Sequence, residues 1–366
     1  MVRRYSFGLN LDFILLFSVF ILTLIGLMMM FSTTAVVGLT QFQDPYYYVK
    51  RQGLFMMIGF VALLVGYKIP HLWYRKFALH GFFMALFILI LTLIPGLSVT
   101  AGGASRWLDL GVILFQPVEL AKFFIVVFLA TALCNKKDMI HTFWKGFIPV
   151  LLLSIVPICI LMAQPDLGNS VLIFLVLIIM LFVAGVRLLH LMILGGGALL
   201  SIVISILMHP YQFDRIKGFL NPWADPLGKS YHIIQSYTAI GSGGILGHGF
   251  GQSKLKFFYL PLHYSDFIFS IICEEGGFIF ALVVLALFAV ILYRSVHIAL
   301  LSQHRFSCFL VLGLILFLVL QALINIGVAV GVFPITGIPL TFISYGGTSF
   351  VMSLFFIGVI LNVSRE

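Results

Sequence analysis

The chain has 366 residues, of which 62% are hydrophobic and only 9% charged, with a mean hydropathy of +1.17. That composition excludes an ordinary water-facing surface, so the solvent around most of the chain is lipid. The net charge of +9 does not indicate a nucleic-acid partner, because Lys and Arg fall in short clusters between apolar runs rather than in one basic stripe.

Runs of about 20 apolar residues mark spanning helices. Ten occur, at about 12–34, 53–69, 78–95, 114–134, 147–164, 168–186, 188–208, 267–293, 306–331 and 339–362. They predict an all-α polytopic membrane protein forming a single domain over residues 1–366, with one long extracytoplasmic connection, about 209–265, between the seventh and eighth spans. Arg3 and Arg4 before an apolar stretch resemble a signal-peptide start, but Phe13 to Phe31 is too long for such a segment and reads as an uncleaved first span. Cys134, Cys159, Cys273 and Cys308 show no C-x-x-C spacing and read as buried free thiols.

With the N-terminus inside, the short inner segments hold twelve Lys and Arg residues and the short outer ones hold three, namely Lys50, Arg51 and Arg106. The positive-inside rule therefore predicts both termini on the cytoplasmic side. The basic residues of the long connection carry no weight in that count, since long loops cross largely regardless of charge.

The polar features left over all fall on outer connections. Arg106-Trp107-Leu108-Asp109-Leu110-Gly111 leads into Phe115-Gln116-Pro117-Val118-Glu119-Leu120-Ala121-Lys122 at the start of the fourth span. Glu119 and Lys122 share a helix face at i, i+3, so they suit either an ion pair that neutralises them in lipid or contact with a substrate. In Gln164-Pro165-Asp166-Leu167-Gly168, Asp166 sits at a helix N-terminus, as a cap or as a cavity residue. The segment 211–226 interleaves aromatic and basic residues, which suits an interfacial helix, while Arg215 within it also suits a pyrophosphate. The Gly-rich stretch 240–251 lacks a nucleotide-binding P-loop pattern and reads as close backbone packing or a loop.

Asp266 opens the eighth span, and Glu274 and Glu275 follow two turns later. Acids at membrane depth are costly and usually functional, so Asp266 is the first candidate for chemistry. Pro334-Ile335-Thr336-Gly337-Ile338-Pro339 and Ser344-Tyr345-Gly346-Gly347 break the last crossing, a pattern tolerated where backbone lines a cavity or is buried in protein. A common outer cavity explains these clusters. No nucleoside triphosphate is available on that side, so a synthetic reaction there needs its energy in the substrate, as in lipid-linked diphospho-sugars.

These segments resemble one family. Asn325-x5-Gly331-Val332-Phe333-Pro334-Ile335-Thr336-Gly337-Ile338-x3-Phe342-Ile343-Ser344-Tyr345-Gly346-Gly347-Thr348-Ser349, together with R-W-L-D-L-G, F-Q-P-x-E-x-x-K, Q-P-D-L-G, N-P-W-A-D-P and F-F-Y-L-P-x-x-x-x-D-F-I-F, is similar to the signature of the SEDS (shape, elongation, division and sporulation) family, in its order and over nearly the whole chain. N-P-W-A-D-P and K-F-F-Y-L-P look more like its division branch than its elongation branch. Val118, Leu262 and Gly276 depart from the family pattern.

The resemblance implies a peptidoglycan glycosyltransferase that polymerises lipid II at the outer face of the bacterial cytoplasmic membrane, at the division septum. It also implies a class B penicillin-binding protein as partner, alongside other division proteins. It places the general base at Asp266. Leaving-group stabilisation falls to Arg215, with Lys254 and Lys256 behind it, and Arg106, Glu119, Lys122, Asp166 and Ser344 become substrate-binding or cavity residues. A divalent cation, Mg or Mn, suits a diphosphate leaving group, though no metal-ligand spacing points to one. Two other readings stand beside it: a transporter that flips the same lipid, suggested by broken helices and intramembrane charges, and a non-catalytic division scaffold.

Overall fold

The computed structural model describes residues 11–94, 96–101, 104–109, 111, 114–208, 210–226, 228, 230–253 and 266–366. Lys254 and Lys256 lie outside the described residues, as do Arg3, Arg4 and Leu262.

The helices, in chain order, are α1 (Phe13–Phe42), α2 (Tyr47–Lys68), α3 (His71–Lys76), α4 (Ala78–Leu91), α5 (Pro117–Asn135), α6 (Ile148–Ala163), α7 (Leu167–Val183), α8 (Leu188–Met208), α9 (Pro210–Leu220), α10 (Tyr231–Gly243), α11 (Ile268–Leu301), α12 (Arg305–Ala329) and α13 (Gly347–Val363). Among the described residues, seven helical segments are long and apolar enough to cross a membrane, and α4, α7 and α13 are shorter apolar helices. Together they coincide with the ten predicted spans. The starts follow from local chemistry. Asp12 caps α1 by accepting from the Leu15 amide at 3.0 Å, Asp166 caps α7 through the Asn169 amide at 3.3 Å, and Pro117 occupies the first turn of α5, where no amide is needed.

Two segments differ from expectation. The connection after α4 is not irregular: β1 (Ser98–Ala101), β2 (Ala104–Asp109) and β3 (Leu114–Phe115) form an antiparallel sheet in that order. Strands this short carry too little alternation to stand out against so apolar a sequence. The last crossing becomes helical only at Gly347, because Pro334, Gly337, Pro339 and Gly346 interrupt 334–346. The long connection between α8 and α11 contains α9 and α10; α9 covers the first part, 211–220, of the aromatic and basic run 211–226 expected to be an interfacial helix, and the remainder is not α-helical.

Helices α5 and α12 are buried over most of their length, while α8 exposes most of its surface. With no hydrophobic drive between helices in lipid, close contact depends on small residues. On α2, a β-carbon at Gly66 would lie 2.7 Å from the Phe355 carbonyl oxygen, and one at Gly358 of α13 would run into the Leu63 carbonyl oxygen. These two helices therefore touch backbone to backbone.

Polar contacts define two ends of the bundle. At one end Arg294 pairs with Asp12 at 2.7 Å, His71 Nε2 meets Glu366 at 2.6 Å, the Gln303 side chain donates to the Glu366 carbonyl at 2.9 Å, and Arg75 donates to Asn135 at 3.0 Å. The basic-rich short connections gather there. The other end carries the broken last crossing.

Candidate functional site

Five consecutive residues of that broken crossing, Ile335 to Pro339, bring the predicted clusters together. Arg215 on α9 donates to the Ile335 carbonyl at 3.0 Å. Gly168, at the start of α7, lies so close to Thr336 that a β-carbon there would be 2.8 Å from its carbonyl oxygen. Arg106 on β2 approaches Gly337 and pairs with Asp166 at 3.5 Å, and it also donates to the Pro165 carbonyl at 3.4 Å. Asn325 on α12 donates from one amide nitrogen to both the Ile338 carbonyl at 2.8 Å and the Asp266 carbonyl at 3.0 Å. Gln321, one turn before Asn325, donates to the Pro339 carbonyl at 3.2 Å and accepts from Lys122 at 2.9 Å.

Lys122 also donates to Glu119 at 2.9 Å, and both side chains are almost fully buried. The i, i+3 spacing thus yields the expected pair, and Gln321 links it to the last crossing. Asp166 takes the capping role expected of it at the start of α7, and its carboxylate also faces Arg106. Its second oxygen accepts from the Asn169 side chain at 2.8 Å. Ser344 is buried and accepts from the Leu340 amide at 2.9 Å, closing a turn of its own segment. Arg106 on β2 and Lys122 on α5 therefore meet the carboxylates of Asp166 and Glu119, and Arg215 on α9 meets the main chain, around one irregular stretch of backbone.

Asp266 lies two residues before α11, next to its N-cap Phe267, and its carbonyl is fixed through Asn325. That helix is not continuous: Gly277 has φ +70° and ψ −173°, a conformation that breaks the helical bonding. The Gly-rich segment repairs the break. His248 and Gly249 amides donate to the Glu274 and Glu275 carbonyls at 3.0 Å each, and the Phe278 amide donates to the Gly244 carbonyl at 3.0 Å. Close backbone packing is thus what the glycines provide. The acidic pair is accommodated in the same place, since Ser32 donates to Glu275 at 2.7 Å, the Ser253 amide donates to Glu275 at 3.2 Å, and the Ser253 hydroxyl donates to Glu274. Buried carboxylates are tolerable when donors surround them in this way.

Three polar residues were not singled out individually by their sequence setting. Gln321 and Asn325 lie one turn apart in an apolar span, and Asn169 sits in the first turn of α7. Asn325 and Asn169 each have a side-chain oxygen that is buried without a hydrogen-bond partner. Amides at i and i+4 inside a spanning helix were the available signal. Among the described residues, no three His, Cys, Asp or Glu side chains gather into a metal-ligand set.

A family model of cell cycle proteins, FtsW/RodA/SpoVE, matches residues 13–366. The chain belongs to this family. Among FtsW/RodA/SpoVE relatives, stage V sporulation protein E of Bacillus subtilis is 41% identical over 354 residues, covering 97% of both chains. The probable peptidoglycan glycosyltransferase FtsW of a Geobacter species is 39% identical over 355 residues, again covering 97% of both. The corresponding Escherichia coli protein is 35% identical, covering 97% of this chain and 86% of its own. A solved chain from a peptidoglycan synthase complex that coordinates polymerization and crosslinking superposes with a TM-score of 0.79 at 28% identity, over 98% of both chains. The rod shape determining protein RodA of Thermus thermophilus gives a TM-score of 0.73 at 26% identity, covering 98% of this chain and 97% of that one. The polytopic helical fold is therefore that of the FtsW/RodA/SpoVE family.

Proposed function

We propose that the chain is a peptidoglycan glycosyltransferase that polymerises lipid II at the outer face of the cytoplasmic membrane, in septal synthesis. The observation that carries this reading is the convergence of Arg215, Arg106–Asp166, Glu119–Lys122 and the Asp266 backbone on residues 335–339, in a chain whose relatives are named glycosyltransferases. The names of the relatives, for division and for sporulation, favour a septal role over lateral elongation. Both termini are cytoplasmic in this reading, in keeping with the basic residues at the end opposite the site.

In the proposed reaction the 4-hydroxyl of an acceptor sugar attacks the anomeric carbon of a lipid-diphosphate donor. The new glycosidic bond forms with inversion as the bond to the phosphate oxygen breaks, and polyprenyl diphosphate leaves. The Asp266 carboxylate takes the hydroxyl proton, a contribution of about 10²–10⁴ in rate. Arg215 stabilises the departing diphosphate, with Lys254 and Lys256 as further cations, since charge develops there in the transition state. Arg106, Asp166, Glu119, Lys122 and Ser344 hold the walls of the site. A class B penicillin-binding protein, the partner type implied by the resemblance, supplies cross-linking. The likeness to a chain of a peptidoglycan synthase complex supports a partner of that kind.

The test is polymerisation of lipid II by the purified full chain with its cognate penicillin-binding protein. The native chain makes glycan, and Asp266→Asn lowers the rate by at least about a hundredfold with an unchanged melting temperature. Normal polymer from Asp266→Asn removes Asp266 from the mechanism. Translocation of lipid II in liposomes without any polymer from the native chain overturns the enzyme reading.

A further inference from the structure

A cavity of about 360 Å³ opens at the end of the bundle opposite the candidate site, between α4, α5 and α6. Part of its wall is apolar, with Leu79, Phe128, Val150 and Leu153, and Arg75, Lys76 and Lys136 also line it. Arg75 is held over this opening by its bond to Asn135, and Lys136 by donation to the Lys145 carbonyl at 3.3 Å. The two connections that form the rim, 68–80 and 135–147, contain six Lys or Arg residues and a single acid, Asp138.

Two tryptophans fix the depth of this rim. Trp73 and Trp144 are 57% and 76% exposed, and tryptophan at such positions sits at the level of lipid headgroups. The rim therefore lies where phosphates are, and the apolar wall lies where acyl chains begin. A soluble anion would use the cations and leave the wall bare, whereas a zwitterionic lipid would use the wall and gain little from the charge.

We propose that this cavity is a binding site for one anionic phospholipid, with its phosphodiester headgroup on Arg75, Lys76 and Lys136 and the start of an acyl chain along Leu79 and Phe128. Basic pockets between spanning helices on the cytoplasmic side are suited to such headgroups. The site is separate from the proposed glycosyl-transfer site and its occupancy does not depend on that activity.

Native mass spectrometry of the purified full chain, released from bilayers of mixed phosphatidylglycerol and phosphatidylcholine, tests this. Phosphatidylglycerol is retained in preference to phosphatidylcholine, and glycerol phosphate does not displace it. Each basic side chain near a charged headgroup contributes about fivefold, so Arg75→Gln/Lys76→Gln/Lys136→Gln weakens retention by about a hundredfold. Lys50→Gln/Arg51→Gln at the opposite end leaves it unchanged. Leu79→Trp keeps every charge, fills the groove and also loses the lipid, which decides the matter if the triple variant does not fold. Equal retention of the two lipids, displacement by glycerol phosphate, or full retention by Leu79→Trp overturns the proposal.

Discussion

Lys122 is buried with two acceptors, Glu119 and Gln321, and its charge is tolerable only because both are in place. Removing one member of a buried pair strands the other, which typically costs about 3–5 kcal/mol, whereas replacing both is far milder. Glu119→Gln is expected to lower the melting temperature of the detergent-purified protein sharply, and Glu119→Gln/Lys122→Met to restore much of it. Differential scanning fluorimetry reads both.

His232 on α10 offers a second test at the scale of one side chain. Burial pushes its imidazole below the ordinary value of 6.5, and its Nδ1 is enclosed without a partner. The unfolded chain then binds more protons than the folded one below about pH 6.5, so stability falls as pH drops through that value toward the depressed folded pKa. The loss is absent above that range. Thermal unfolding followed from pH 7.5 to pH 5 should show this loss, and His232→Gln should reduce its slope.

At the scale of elements, α7 and the last crossing meet at Gly168. A methyl group there would lie 2.8 Å from the Thr336 carbonyl oxygen and 3.1 Å from the Ile338 side chain. Gly168→Ala should therefore push residues 335–339 away from α7 and reduce polymerisation about tenfold or more, since a displacement of about 1 Å in a positioned site has effects of that order or larger. A glycan-polymerisation assay alongside a melting curve separates this from unfolding.

The elements also show what was legible in the sequence. Ten apolar helices followed from hydropathy, because lipid forces each span to satisfy its own backbone. The Glu119–Lys122 pair followed from helical spacing, and the role of Asp166 as a cap from its place before an apolar run. The β1–β2–β3 sheet did not, as its strands are too short to show a period. Nor did the meeting of Arg215 with Ile335 or of Asn325 with Asp266, residues separated by 120 and 59 positions. No local pattern encodes contacts so distant.

On the scale of the whole molecule, the bundle has two unlike ends. The end with Asp12, Arg294, His71 and Glu366 gathers the basic connections, and the other holds the candidate site. The proposed orientation predicts that a cysteine at the exposed position Leu246 reacts with a membrane-impermeant maleimide in intact cells. One at the exposed Lys137 reacts only after permeabilisation. The reverse pattern overturns the orientation.

Residues 335–339 engage their neighbours largely through main-chain oxygens, and every peptide carries the same oxygen whatever its side chain. Letters there are exchangeable in a way that spacing is not. Ile335→Val and Thr336→Ser leave each carbonyl facing its donor, while deleting one residue between Ile335 and Ile338 puts the carbonyl that meets Arg215 out of register with those that meet Asn325 and Gln321. For comparing chains of this kind, the length of this stretch is a more informative character than its spelling.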